Sequence, residues 1–156
     1  MGIYRYTECG LENVWLSNGY RVKETAYGMA VSVEDVDGLH AVLASHLIQK
    51  RGRLTGKEFR FLRLVLRMSQ DGLAKMLGVQ EQSVSLLERT GKVPKSSDMV
   101  LRMLAQEKVA GNCGVADMID RINTVERLLN QQIVASERGR KWTTKARTAK
   151  HELEAA

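Results

Sequence analysis

The sequence predicts an α+β protein, with a small N-terminal antiparallel β-sheet region, then an all-α domain, then a C-terminal helix. Three observations carry this. Short β-branched and aromatic runs broken by glycine-containing turns fill residues 3–33, the apolar spacing turns helical from Val36, and N-cap signals at Thr55 and Ser69 restart helices further on.

The strand-like runs are Ile3–Tyr6, Val14–Leu16, Tyr20–Val22 and Met29–Val33, separated by Cys9-Gly10, Ser17-Asn18-Gly19 and Tyr27-Gly28. Asn18-Gly19 between Leu16 and Tyr20 predicts a hairpin, because a two-residue type I′ turn needs positive φ at both positions. Leu39, Val42, Leu43, Leu47 and Ile48 then define a helix up to Lys50-Arg51-Gly52. This closes a first region, residues 1–50.

A second region, 51–110, opens with Thr55 and Glu58, three apart, which is a capping box. Phe59, Leu62, Val65 and Leu66 form the buried stripe of that helix, and Arg60, Arg63 and Arg67 a basic face. Ser69 caps a short helix carrying Leu73, Ala74 and Leu77 that stops at Gly78; Val84 and Leu87 mark a third that ends near Gly91. Pro94, the only proline, precedes a fourth running from about Ser97 to Val109.

Gly111-Asn112-Cys113-Gly114 reads as a linker. Val115, Met118, Ile122, Val125 and Leu129 follow at alternating spacings of three and four, an a/d seam widened by Ile119, Leu128 and Ile133. They predict a helix within 111–136, which serves either a second copy of the chain or its own domain. Arg138, Arg140, Lys141, Lys145, Arg147 and Lys150 occur with no acid among them, so 137–156 is expected to be a flexible basic tail.

With 44% hydrophobic and 27% charged residues, the 156-residue composition excludes fibrous and wholly disordered classes. No apolar run approaches the roughly 18 residues of a membrane span, and MGIYRYTECG has no signal-peptide core. A cytoplasmic protein with no membrane partner is expected. Cys9 and Cys113 lack the paired spacing of a disulfide framework or a zinc site, so both are expected as free thiols. The net charge of +6 is concentrated in the middle: residues 51–110 carry 12 basic and 6 acidic side chains, whereas 1–50 carry 4 and 6. Such a footprint points to a polyanion such as nucleic acid.

Residues 69–91, SQDGLAKMLGVQEQSVSLLERTG, resemble the helix-turn-helix of the lambda-repressor-like (XRE) family on Ser69, Gln70, Leu73, Ala74, Leu77, Gly78, Val79, Val84, Ser85 and Glu88. The resemblance implies a sequence-specific transcriptional regulator whose third helix enters the major groove. Carried over by register, it implies base contacts from Glu81, Gln82, Ser85 and Leu86, and phosphate contacts from Gln70, Arg89, Lys92 and Lys95. It also implies an ion pair between Arg63 and Glu88. The implied partners are double-stranded DNA and a second copy, as a homodimer on a pseudo-palindromic operator; no cofactor is implied. Gly72 and Gln80 depart from the pattern, where a helix former and a Ser or Asp cap are usual, and Leu87 replaces a bulkier residue.

The layout over residues 1–108 also resembles the MqsA-type antitoxin regulators. That implies an alternative, an antitoxin that neutralises a cognate toxin protein through its N-terminal region and represses its own operon. The family's founding zinc site uses two cysteine pairs, of which only Cys9 is kept, so no metal is expected. His40 and His46 lie six apart on different faces of a helix. Glu34, Asp35 and Asp37 precede a helix, where carboxylates serve as caps or dipole partners. Without a phosphate loop or a nucleophile-base arrangement, no enzymatic activity is expected.

Overall fold

A computed structural model describes residues 2–111, 114–124 and 131–148. The chain divides into two compact units, Met1–Asp120 and Arg121–Ala156. The architecture is α+β.

In the first unit, β1 (Tyr4–Arg5) pairs antiparallel with β2 (Trp15–Leu16), and β3 (Tyr20–Thr25) with β4 (Gly28–Val33). These are two separate two-stranded ladders. The Asn18-Gly19 hairpin is therefore corrected: β2 and β3 do not pair. Gly19 takes φ 77°, but Asn18 is not among the positive-φ residues that a type I′ turn requires. The Glu34 amide donates to the Gly19 carbonyl at 2.8 Å, one position beyond the Tyr20↔Val33 pair of the β3–β4 ladder. The true β3–β4 turn lies at Ala26-Tyr27, flanked by the Thr25↔Gly28 pair.

α1 (Val36–Ile48) is capped by Asp35, whose carboxylate accepts from the Gly38 amide at 3.1 Å. Asp35 is held there in the left-handed region at φ 46°. α2 (Gly56–Val65) begins with the complete capping box: Thr55 Oγ1 accepts from the Glu58 amide and Glu58 Oε1 from the Thr55 amide. α3 (Gln70–Leu77) is capped by Ser69 and ends at left-handed Gly78, while α4 (Glu81–Thr90) starts at Gln80 with no side-chain cap. α5 (Lys95–Ala110) begins directly after Pro94, two residues ahead of the expected start.

One apolar core joins Leu11, Ala44 and Leu47 to Leu54, Phe59, Phe61, Leu62, Leu73, Ala74, Val84, Val93, Leu101 and Ala105. The change of charge near residue 50 is accordingly not a boundary between compact units, because α1 packs on α2 and α5. Phe61 falls outside the stripe read from the sequence. It is buried because α2 is covered on two sides, and its ring meets the edge of His40 at 5.7 Å between centroids. His40 in turn shares a hydrogen bond with the Tyr6 hydroxyl at 3.0 Å.

α6 (Gly114–Thr124) covers the first part of the predicted C-terminal helix, and Glu107 of α5 accepts from its Val115 amide at 2.7 Å. Ile119 is buried, whereas the seam residues Met118 and Ile122 are exposed. Val125, Leu128 and Leu129 lie outside the described residues, as does Cys113 of the expected linker. Ile133 is not on a helix. It lies in β5 (Gln131–Arg138), which pairs antiparallel with β6 (Lys141–Thr148).

The predicted flexible basic tail is thus corrected over 137–148 to a β-hairpin; Lys150 lies beyond the described residues. Its two-residue turn is Gly139-Arg140, with φ 58° and 64°, the double positive φ that joins tightly paired strands. The β-branched residues Ile133, Val134, Thr143 and Thr144 on either side are the signal that the run of cations obscured. Among the described residues no helix is long and apolar enough to cross a membrane.

Candidate nucleic-acid interface

α3 and α4 are joined by three residues, Gly78-Val79-Gln80, and pack against each other, with α2 behind α4. Val84 is fully buried and Leu87 packs on the same core, so α4 is held by that stripe. The rest of its surface faces outward. Glu81, Gln82, Leu86 and Arg89 are exposed, and Ser85 is half-buried at the edge. Four residues expected to face a groove therefore lie on or beside one outward surface of α4, as the periodicity of a helix with one buried stripe requires.

What fixes the helix from behind is a buried polar cluster. Arg63 Nε donates to Glu88 Oε1 at 2.5 Å and Arg63 Nη2 to Glu88 Oε2 at 3.2 Å, with side chains only 8% and 5% exposed. The remaining guanidinium nitrogen, Nη1, donates to the Met68 carbonyl at 2.8 Å. Gln70 Nε2 adds a third donor to Glu88, at 2.9 Å from Oε2. One carboxylate on α4 thus ties α2 to α3, and Arg63 carries the cluster on to the α2–α3 loop. A bidentate arginine suits this place because two parallel bonds fix orientation as well as distance.

Two expectations change with this cluster. Arg63 does not belong to an exposed basic face: it lies four residues after Phe59, on the buried side of α2, and only Arg60 of that set is an exposed residue of the helix. Arg67 falls after the helix, in the left-handed region at φ 55°. Gln70, expected on phosphate, directs its side-chain amide to Glu88.

No local sequence signal marks how closely α2 approaches α4. A Cβ built on Gly56 would stand 2.3 Å from the Glu88 carbonyl oxygen, so only glycine permits this contact. The loop after α4 is anchored by Val93, 2% exposed, which leaves Lys92 and Lys95 outside on either side of it. A second buried polar group was also unread. Asp98 accepts from the Leu54 amide at 2.6 Å and pairs with Arg102, whose guanidinium reaches the Lys50 carbonyl at 2.6 Å and that of Gly52. It ties the α1–α2 loop to α5.

Glu58 links this base to the capping box. Burial raises its carboxyl pKa, but the bond from Lys50 Nζ at 2.6 Å, the Thr55 amide and the charge of Lys50 together outweigh burial and hold it below the ordinary value. Among the described residues no group of three or more His, Cys, Asp and Glu is placed to hold a metal ion. His46 is exposed, away from the Tyr6–His40–Phe61 contacts.

Comparison with protein-family models, with curated proteins and with solved structures returns no match for this chain.

Proposed function

We propose that the chain is a sequence-specific regulator that reads the major groove of double-stranded DNA with α4, as the lambda-repressor-like resemblance implies. One observation carries the reading: α4 is clamped from behind by Val84, Leu87 and the Arg63–Glu88 pair, while Glu81, Gln82, Leu86 and Arg89 stand exposed in front. A rigid helix presenting amide, carboxylate and aliphatic groups is what base-edge recognition needs. Gln82 would bond adenine N6 and N7, Glu81 would accept from cytosine N4, and Leu86 would pack on a thymine methyl. Arg89, Lys92 and Lys95 would sit on phosphates. The Gln70 side chain is engaged with Glu88, so its part is to hold α3 against α4.

A single recognition helix reads few base pairs, so the reading includes a homodimer on two half-sites about one helical turn apart. The exposed Met118 and Ile122 of α6 are the candidate seam. An antitoxin role is the second reading. It rests on the β3–β4 ladder, where the register pairs Val22 with Val31 and Glu24 with Met29, and where Val22 and Met29 are 51% and 68% exposed. Such a face is suited to a protein partner.

Selection of bound sites from random duplexes tests the DNA reading, followed by binding of Gln82→Ala to the selected operator and to a scrambled duplex. The variant should lose about 1 to 3 kcal/mol on the operator and almost nothing on the scrambled sequence. Equal losses on both would move the base contacts off α4.

A further inference from the structure

The C-terminal hairpin takes no part in this reading, and its register sorts its residues into two unlike faces. Directly opposed residues of an antiparallel ladder share a face, and faces alternate along each strand. Arg138↔Lys141, Ser136↔Thr143 and Val134↔Lys145 therefore lie on one face, and Glu137↔Trp142, Ala135↔Thr144 and Ile133↔Ala146 on the other. The first face carries Arg138, Lys141 and Lys145 and no acid, and the next pair along it in the register is Gln132↔Arg147. Glu137, the one acid in residues 131–148, is on the opposite face, where its carboxylate accepts from the Arg140 amide at 2.6 Å and closes the turn.

We propose that the face bearing Arg138, Lys141 and Lys145 is a second, sequence-independent contact surface for the phosphate backbone of duplex DNA. It rests on the DNA-binding reading of α4 and adds a separate element to it. Arg138 and Lys141 are like charges in directly opposed positions, an arrangement that destabilises a ladder unless an anion is shared between them. All eight residues of β5 are exposed, as are Lys141 and Lys145, so the face is open to a partner. A two-stranded ribbon fits a major groove about 12 Å wide, and the four steps of strand from Lys141 to Lys145 span roughly 13 Å, so the row matches the groove it would track. Its charged groups are cations with no acid beside them, so the contact is assigned to phosphates, which position the protein without carrying sequence information.

The test is salt titration of full-length protein on the selected operator and on a scrambled duplex, with the triple variant Arg138→Gln, Lys141→Gln, Lys145→Gln. Both affinities should fall by the same factor, and the slope of log affinity against log salt should flatten by up to about 2.7, or 0.9 per cation. The charge-keeping variant Arg138→Lys, Lys141→Arg, Lys145→Arg should retain the original slope, which separates lost charge from a damaged hairpin. An unchanged slope in the triple variant, with Gln82→Ala still losing the operator selectively, overturns the hairpin contact and leaves the reading of α4 standing. A loss confined to the operator overturns it too. Wild-type protein that binds neither duplex overturns both. If the triple variant loses binding to phosphatidylserine vesicles while its DNA slopes stay unchanged, the face serves a lipid surface and the inference fails.

Discussion

The polar cluster behind α4 and the C-terminal hairpin both use arginine, and they use it in opposite ways. Arg63 is buried and spends its donors on Glu88 and Met68; Arg138 lies on an exposed face beside Lys141 and Lys145. A buried charge demands a partner fixed in place, because leaving it unpaired costs several kcal/mol, whereas an exposed cation costs the fold little and stays available. The first arrangement makes a helix rigid. The second leaves charge free for a ligand.

The largest test of this contrast is Glu88→Ala, which strands the Arg63 guanidinium in the core and should cost about 3 to 5 kcal/mol in urea unfolding. Replacing both partners together, as Arg63→Met with Glu88→Leu, should recover much of that loss. A single-variant cost below about 1 kcal/mol would place the pair with ordinary surface bridges.

Next comes Gly56→Ala. The added methyl meets the Glu88 carbonyl, a backbone atom that cannot swing aside, so overpacking of about 1 to 3 kcal/mol is expected from thermal or urea unfolding. Gly139 has open space around the same construction, and alanine there meets only the strain of its φ of 58°. If both substitutions cost alike, close packing of α2 on α4 is not what makes Gly56 necessary.

The pH dependence sharpens the comparison from the side of Glu58. Its folded pKa is depressed, so the ionised pair with Lys50 adds stability that is fully present above the unfolded carboxyl pKa of about 4.3 and is lost as pH falls through the lower folded value. Glu58→Gln should therefore flatten the acid limb of the stability curve below that pH. An acid limb identical to the wild type's would remove Glu58 from the account.

The smallest effect belongs to the hairpin. Trp142 is 69% exposed, so Trp142→Thr should change the unfolding of the helical unit, followed by circular dichroism, by no more than about 0.5 kcal/mol. A larger loss would mean that the helices depend on the hairpin.

Legibility in the sequence follows the same division. The capping box at Thr55 and Glu58, the Ser69 cap and the stop at Gly78 were readable because each depends on residues within one helical turn. The buried stripe of Val84 and Leu87 was readable from the same periodicity, whereas the outward set on α4 and the pairing of Arg63 with Glu88 came from the family resemblance. The burial of Arg63 was open to reading too: four residues from Phe59 puts it on the inner face, and only its charge argued for solvent.

Asn18-Gly19 and Gly139-Arg140 show where local reading stops. The first has the strongest hairpin signature in the chain and joins no paired strands; the second, set in a row of cations, joins the longest ladder described. A dipeptide states which turns a backbone tolerates, but whether strands pair across it depends on partners supplied from elsewhere. β2 finds its partner in β1, which precedes it.

By itself the sequence determined the α+β class, the starts at Thr55 and Ser69, the stop at Gly78 and the buried stripe of Val84 and Leu87, all consequences of backbone preference and 3.6-residue periodicity. Only the tertiary structure decided that α1 shares the core of α2 and α5, that Gly56 lies against the Glu88 carbonyl, that Asp98 and Arg102 hold the loop at Lys50 and Gly52, and that the cationic tail pairs into a ribbon with one charged face. Each of these joins residues that no single helical turn or two-residue loop brings together. Their energy comes from burial and pairing between elements, which local propensity does not encode.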